Sequence, residues 1–526
     1  MSQPPTIPPS AETIYTSDSQ LLCCKSIDKL ISDADNPAHR LKKSLGPWSL
    51  TALGIGAIIG SGIFVLTGTA AAGEHFEAPS ILHAQVMDLL VNFLRTGTTA
   101  GALMHGRPAA GPSIAISFLL VAVACSFAGL CYAELASMIP IAGSAYTYSY
   151  ATLGEIFAWI IGWDLILEYV VSNVAVAVGF SGYANAQLAA FGITLPQKWA
   201  VPVFAGGHWT GAYFNLPGFL IVFILTLLLV RGVRESAKAN NIMVMVKIGA
   251  ILTFLVVGGM LVNKANWTPF APSGFAGIVT GGAIVFFTYI GFDSVSTAAE
   301  ECKNPQHDLP FGIISSLIVC TVLYIGVAVV LLGMMKYTTF TSGPAADAPV
   351  AYALQQLGAH RIFRSIIILG ALMGMISSLL VFQYGQARIW YAMSRDGLLP
   401  KLFSAVHPKF KTPHWSTWIA CFAVGIPAGL VDIGDAADLS NIGTLFAFVL
   451  VSLGVILLRR RQPDRKRAFR VPLVPWFPLI SILLCGGLMT GLTVITWLRF
   501  IIWLGLGLCI YIFYSRHHSE FAKAKA

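Results

Sequence analysis

The sequence predicts an all-α integral membrane fold of about twelve spanning helices, on three observations. Of 526 residues, 56% are apolar and only 11% charged, and the mean hydropathy is +0.73. A soluble chain carries roughly 25% charged residues. The apolar residues gather into stretches of about 20 residues, the length that crosses a bilayer. Two of these stretches, the first and the sixth, are weakened near their middle by glycine and polar residues.

The predicted spans are 48–70, 114–138, 155–186, 214–231, 239–262, 276–300, 310–335, 362–392, 414–431, 438–458, 474–495 and 497–514. An even number puts both termini on one side. Positive residues choose that side. With the N-terminus cytoplasmic, 24 of the 33 Lys and Arg fall in cytoplasmic segments and 8 outside, with Lys247 left within a span. Both termini are therefore expected in the cytoplasm, with the chain in the cell (inner) membrane. The net charge of +9 is then an orientation signal and not a nucleic-acid footprint.

Residues 1–40 are polar and Pro/Ser-rich and read as a cytoplasmic tail with no cleavable signal peptide. Residues 41–458 form the ten-span core, 459–515 a basic loop and two further spans, and 516–526 a second tail. The run Arg459–Arg461, Arg465–Arg467 and Arg470 reads as a solvated loop near anionic lipid. Residues 74–112 make a long outer connection. Leu82, Val86, Leu89, Leu90, Phe93 and Leu94 recur in it at helical spacing, predicting a short amphipathic helix that serves as a lid or rests at the interface.

Nine cysteines imply no disulfide framework, since six lie in apolar runs and Cys23, Cys24 and Cys302 in cytoplasmic segments. The eleven histidines fall in loops and ends without a metal-ligand spacing or a base–nucleophile pairing. No cofactor, metal or enzymatic activity is expected.

In the first span, Gly54, Gly56, Gly60 and Gly62 fall within nine residues. Each mid-helix glycine costs roughly 1 kcal/mol against alanine. The run suits either close helix packing or a break that leaves backbone N–H and C=O groups free, tolerated in a membrane only beside a cavity or ligand. The sixth span carries Gly291, Asp293 and Ser294, and an intramembrane carboxylate is functional by default. Two broken spans in corresponding positions of two five-span halves are the mark of an inverted-repeat secondary transporter with its site at mid-depth. Free N–H groups at a helix start suit a carboxylate and free carbonyls an ammonium. A site offering both suits an L-amino acid. A channel would need a polar pore at every depth.

Four runs then resemble one family: LGIGAIIGSGIFVLTG, IPIAGSAYTYSYATLGE, YIGFDSVSTAAEECKNPQHDLP and YGQARIWYAMSRDGLLP. They are similar to the amino acid–polyamine–organocation superfamily, and within it to bacterial members of the cationic amino acid transporter family, over about residues 41–515 less the 74–112 insertion. The resemblance implies a leucine-transporter-type 5+5 inverted repeat with two added helices, acting as a secondary active permease by alternating access. It places the substrate carboxylate at the N–H groups near Gly60, Ser61 and Gly62, and the amine at carbonyls near Ile58, Phe287, Thr288 and Ile290. Phe292 becomes an aromatic gate, although the same residue alone reads as packed core. Lys247 takes the place of sodium in sodium-coupled relatives, facing Gly56 and Ile59 and the hydroxyls of Ser377 or Ser378, so that protons replace sodium. Read alone, Lys247 suits snorkelling to the cytoplasmic surface equally well.

Asp164 and Glu168 share a helix face, and Glu168 suits either a cationic side chain or a structural hydrogen bond. Asp293 suits the same role, or holds the unwound segment through backbone N–H groups. Glu134, Glu300 and Glu301 read as facing cytoplasmic water. The expected substrate is a cationic or small neutral L-amino acid, or both, with protons and membrane lipid as the other partners. An exchanger, a polyamine transporter and a non-transporting amino-acid sensor stay open as alternatives.

Overall fold

The computed structural model describes residues 21, 24–28, 45–75, 80–97, 106–141, 144–205, 208–231, 237–410 and 412–519. The side chains of His75, residues 237–240, Thr297, Glu300 and Glu301 lie outside that description, as do most of the expected tail at 1–40 and residues 520–526.

Each predicted span holds a helix or a broken helix. The first is α1 (Pro47–Ile58) followed by α2 (Ser61–Ala72), bent by 44° at the break between them. The insertion follows, with β1 (Glu74–His75), α3 (Val86–Thr96) and β2 (Gly106–Arg107). Then come α4 (Ile114–Met138), a short connecting helix α5 (Ser144–Thr152), α6 (Glu155–Ala190), α7 (Leu216–Val230) and α8 (Ala237–Gly259). The sixth span is α9 (Gly274–Val285) continued by two 3₁₀ segments, Phe286–Tyr289 and Phe292–Glu301. After it run α10 (Pro305–Met334), α11 (Pro349–Gln356), α12 (Arg361–Arg395), α13 (His414–Leu430), α14 (Ile433–Arg461), α15 (Trp476–Thr490) and α16 (Val494–Ile510). Among the described residues, eight helices alone are long and apolar enough to cross a membrane, and the bent α1–α2 pair makes a ninth such span.

The start of α7 is set by Asn215, whose side chain accepts from the Gly218 N–H, and that of α14 by Asp432, which accepts from Asp435. Such caps satisfy donors that the first helical turn leaves free.

Packing respects an exchange of the two halves. α6 packs on α12, α4 on α10 and α7 on α13, each joining a span to its counterpart five spans later. The remaining large contacts come in exchanged pairs: α8 on α12 mirrors α14 on α6, and α1 on α10 mirrors α9 on α4. Because each half has an odd number of spans, the two halves run oppositely through the membrane. α15 leans on α14 and α4 from outside this core.

Two expectations change at the face opposite the insertion. Glu134 does not face water: it is 1% exposed, it receives Arg459 Nη2 at 2.6 Å and the Val471 N–H at 2.7 Å, and Arg467 Nε lies 3.2 Å away. Two arginines of the basic run are thus pinned to a buried carboxylate and are not a freely solvated patch; a buried charge is stable only when paired in this way. Within the expected tail, residues 24–28 are docked. Lys25 pairs with Asp396 at 2.7 Å, Asp28 with Arg465 at 2.8 Å, and Ile27 is buried.

Removing the Glu134 carboxylate leaves two guanidinium groups short of their partner. The variant Glu134→Ala is expected to lose about 3 kcal/mol of stability, read as a lowered melting temperature of the detergent-solubilised protein, with Glu134→Gln intermediate.

Candidate functional site

The α1–α2 break is built by backbone groups that the helix cannot satisfy itself. Ile59 is extended and Gly60 lies at φ −117°, ψ −139°, so the helical ladder stops at Ile58 and restarts at Ser61. α2 starts without a side-chain cap. Its first N–H groups therefore point, with the positive end of the helix dipole, toward the break. Ser61 Oγ is fully buried and has no hydrogen-bond partner among the described residues.

The carbonyls at the end of α1 are each accounted for. Lys247 of α8, completely buried, donates from Nζ to Gly56 O at 2.7 Å and Ile59 O at 3.1 Å. Ser378 Oγ of α12 lies 3.2–3.3 Å from the Gly56, Ala57 and Ile59 carbonyls. The ammonium thus sits at the negative end of the α1 dipole. No carboxylate pairs with it among the described residues. Gly374 of α12 lies alongside the lysine stem, where a Cβ would meet Lys247 Cδ at 3.4 Å, an ordinary van der Waals contact. The structure thus brings Lys247, Gly56, Ile59 and Ser378 together. Ser377, the neighbouring residue on α12, is buried as well.

The remaining carbonyl, Ile58 O, accepts from the Gly60 N–H at 3.0 Å and from Tyr324 Oη at 3.0 Å, and the same hydroxyl lies 2.8 Å from Thr288 O in the second break. One hydroxyl proton serves one carbonyl at a time, so acceptor capacity is left over at the junction of the two breaks. Tyr324 carries no sequence signal of this role. It sits in the apolar run of α10 as an ordinary core aromatic.

The two breaks touch. A Cβ on Gly62 would lie 2.8 Å from Thr288 Cγ2 and 3.0 Å from Thr288 Cα. Gly291 adopts φ +114°, ψ −12°, and a Cβ there would come within 3.0 Å of Ala57. Left-handed backbone and this contact together require glycine. Phe287, Thr288 and Ile290 are buried around this junction, and the Ile290 N–H bonds back to Phe287 O at 3.3 Å. Phe292 lies in an aromatic cluster, 4.9 Å from the Phe448 ring and 5.8 Å from Tyr132.

Glu168 is not brought to Ser61. Gly179 packs against Ser61, with a Cβ there only 2.6 Å from Ser61 Cβ. Glu168 lies eleven residues earlier on α6, about 16 Å along the helix. It instead shares a buried polar region with Asp164 and Asp293. One oxygen of Glu168, one of Asp293 and both of Asp164 have no hydrogen-bond partner among the described residues. The backbone N–H groups of Gly291, Asp293 and Ser294 lie against the Asp293 carboxylate.

Residues 45–513 match the family model described as amino acid permease. The chain belongs to the amino acid permease family. It is 47% identical to the branched-chain amino acid permease BcaP of Bacillus subtilis (strain 168), over 94% of this chain and 98% of that protein. It is 45% identical to the methylthioribose transporter of the same organism, over 92% and 96%. It is 37% identical to cationic amino acid transporter 9, chloroplastic, of Arabidopsis thaliana, over 82% and 69%. The permease is accordingly a multi-pass membrane transporter of amino acids, as its motifs implied.

In this permease the Gly291→Ala change forces a left-handed alanine into a filled space. It is expected to destabilise the fold by about 1–3 kcal/mol and to abolish uptake, checked by thermal unfolding and by flux on the same preparation.

Proposed function

We propose that this permease imports a neutral aliphatic L-amino acid, driven by protons and independent of sodium, from the inner membrane of a cell with both termini in the cytoplasm. The observation that carries the coupling is the completely buried Lys247 ammonium on the Gly56 and Ile59 carbonyls. When charged, it holds the end of α1 against α8 and α12. When it loses its proton, those hydrogen bonds lose their charge assistance, roughly half their strength, and the break is freed to move. The substrate carboxylate would sit on the N–H groups of Ser61 and Gly62, while the Gly60 N–H, also expected there, is held by Ile58 O. Its ammonium would take the carbonyls near Ile58, Phe287, Thr288 and Ile290.

The side-chain preference is supported by the Bacillus relative named as a branched-chain amino acid permease. A second reading, a cationic side chain, is favoured by the unpartnered oxygens of Glu168 and Asp293. Asp293 otherwise steadies the unwound segment. The orientation rests on the 24-to-8 distribution of Lys and Arg. Methylthioribose has neither an ammonium nor a carboxylate, so it is not expected to compete at this site.

The test is uptake into proteoliposomes under an inward proton gradient without sodium, offering labelled L-leucine, L-arginine or L-alanine. Leucine is expected to accumulate, and Lys247→Ala to reduce gradient-driven uptake by about tenfold or more, equivalent to about 1.4 kcal/mol. Uptake that needs sodium, or that survives unchanged in Lys247→Ala, overturns the coupling. Preference for arginine installs the second reading. Binding without any flux identifies a sensor.

A further inference from the structure

The 74–112 insertion does more than connect two spans. β1 and β2 pair antiparallel, Glu74 opposite Arg107. The insertion returns tightly over the end of α2: Gly73 has φ +74°, and a Cβ there would lie 2.6 Å from Arg107 O and 2.8 Å from Ala109 N. This places the Arg107 side chain, 10% exposed, between two carboxylates, one on β1 and one on α14. Its Nε lies 3.1 Å from Glu74 Oε2, directly after α2. Its Nη1 donates to Asp438 Oδ1 at 3.1 Å, and its Nη2 donates to Asp438 Oδ2, in the second turn of α14. The fork is bidentate, the strongest ion-pair geometry available to arginine. Asp438 is 3% exposed, so losing Arg107 would leave a nearly buried carboxylate unpaired.

The position of this clasp matters. α2 carries Ser61 at its start and is clasped at its end. A cavity of about 40 Å³ lies one turn from Ser61, lined by Val65 of α2, Gly179 of α6 and Ile433 of α14, together with Asn185, Asn215 and Asp347. The cavity lies mainly against α6, with Val65 of α2 and Ile433 at the start of α14 also on its wall.

We propose that Arg107, supplied by the insertion, is a positioning residue that latches α2 to α14 and shuts the path to Ser61 from the insertion's face. The inference rests on the transport reading. Opening that face means breaking the Arg107–Asp438 fork, so the strength of the fork sets how often the site is reached from there. A merely structural clasp would hold the insertion in place without governing access.

The experiment reads access directly. A Val65→Cys reporter is reacted with a charged methanethiosulfonate in open membrane fragments, which expose both faces, and its rate is taken relative to the same chain without the reporter. Gln383→Cys, buried in the opposite half of α12, serves as the second reporter. Arg107→Gln and Asp438→Asn are each expected to speed Val65→Cys labelling about tenfold and to leave Gln383→Cys unchanged or slower. Arg107→Lys restores the slow rate at least in part. Unchanged labelling at Val65→Cys, or an equal rise at both reporters as general loosening would give, overturns the latch. Leucine uptake by proteoliposomes of the unaltered protein reports transport separately, so transport with unchanged labelling refutes the latch alone.

Discussion

The carbonyls at the end of α1 impose the constraint that the rest of the site obeys. A helix stopped in mid-membrane leaves acceptors that no water can reach, and each must find a donor. Three helices answer. α8 sends an ammonium, α12 a serine hydroxyl and α10 a tyrosine hydroxyl. These donors are what make the break a defined geometry and not a frayed end. They also place a titratable group, an adaptable hydroxyl and a shared hydroxyl on one short stretch of backbone, where a change in any donor is felt by the same peptide units.

The exchange of halves gives that arrangement its frame. α6 and α12 are counterparts and pack on each other. α6 carries Gly179 against Ser61, and α12 carries Ser378 against the end of α1. The two breaks meet where Gly62 faces Thr288 and Gly291 faces Ala57, so each supplies the wall of the other. Tyr324 completes the junction by reaching one carbonyl from each.

What the sequence made legible was whatever violated the chemistry of a plain span. Four glycines in nine residues, an aspartate in the sixth span and a lysine in the fifth all stand out against leucine-rich neighbours. The structure places them at one junction or close by. Tyr324 was not legible, because a tyrosine in an apolar run has the same appearance whether it packs or donates. Glu134 was misjudged because it lies near a span end, where exposure is the ordinary outcome. Its partners Arg459 and Arg467 are more than 300 residues away, and no local pattern announces them. Glu168 stands about 16 Å along its helix from the turn that meets Ser61, and its polarity marks a separate buried region shared with Asp164 and Asp293. The docking of residues 24–28 and the Arg107 clasp are likewise long-range ion pairs between segments that each look solvated.

The two breaks differ in one respect that carries a mechanical consequence. The first interrupts two α-helical pieces across two residues, while the second is followed by ten residues, Phe292–Glu301, in 3₁₀ geometry. A 3₁₀ helix rises about 2.0 Å per residue and an α-helix about 1.5 Å, so this stretch is about 5 Å longer than the same residues would be if wound as an α-helix. The sixth span therefore carries a length reserve. Rewound as an α-helix, the same residues would bring its two ends closer by up to that amount, a stroke comparable to one helical turn.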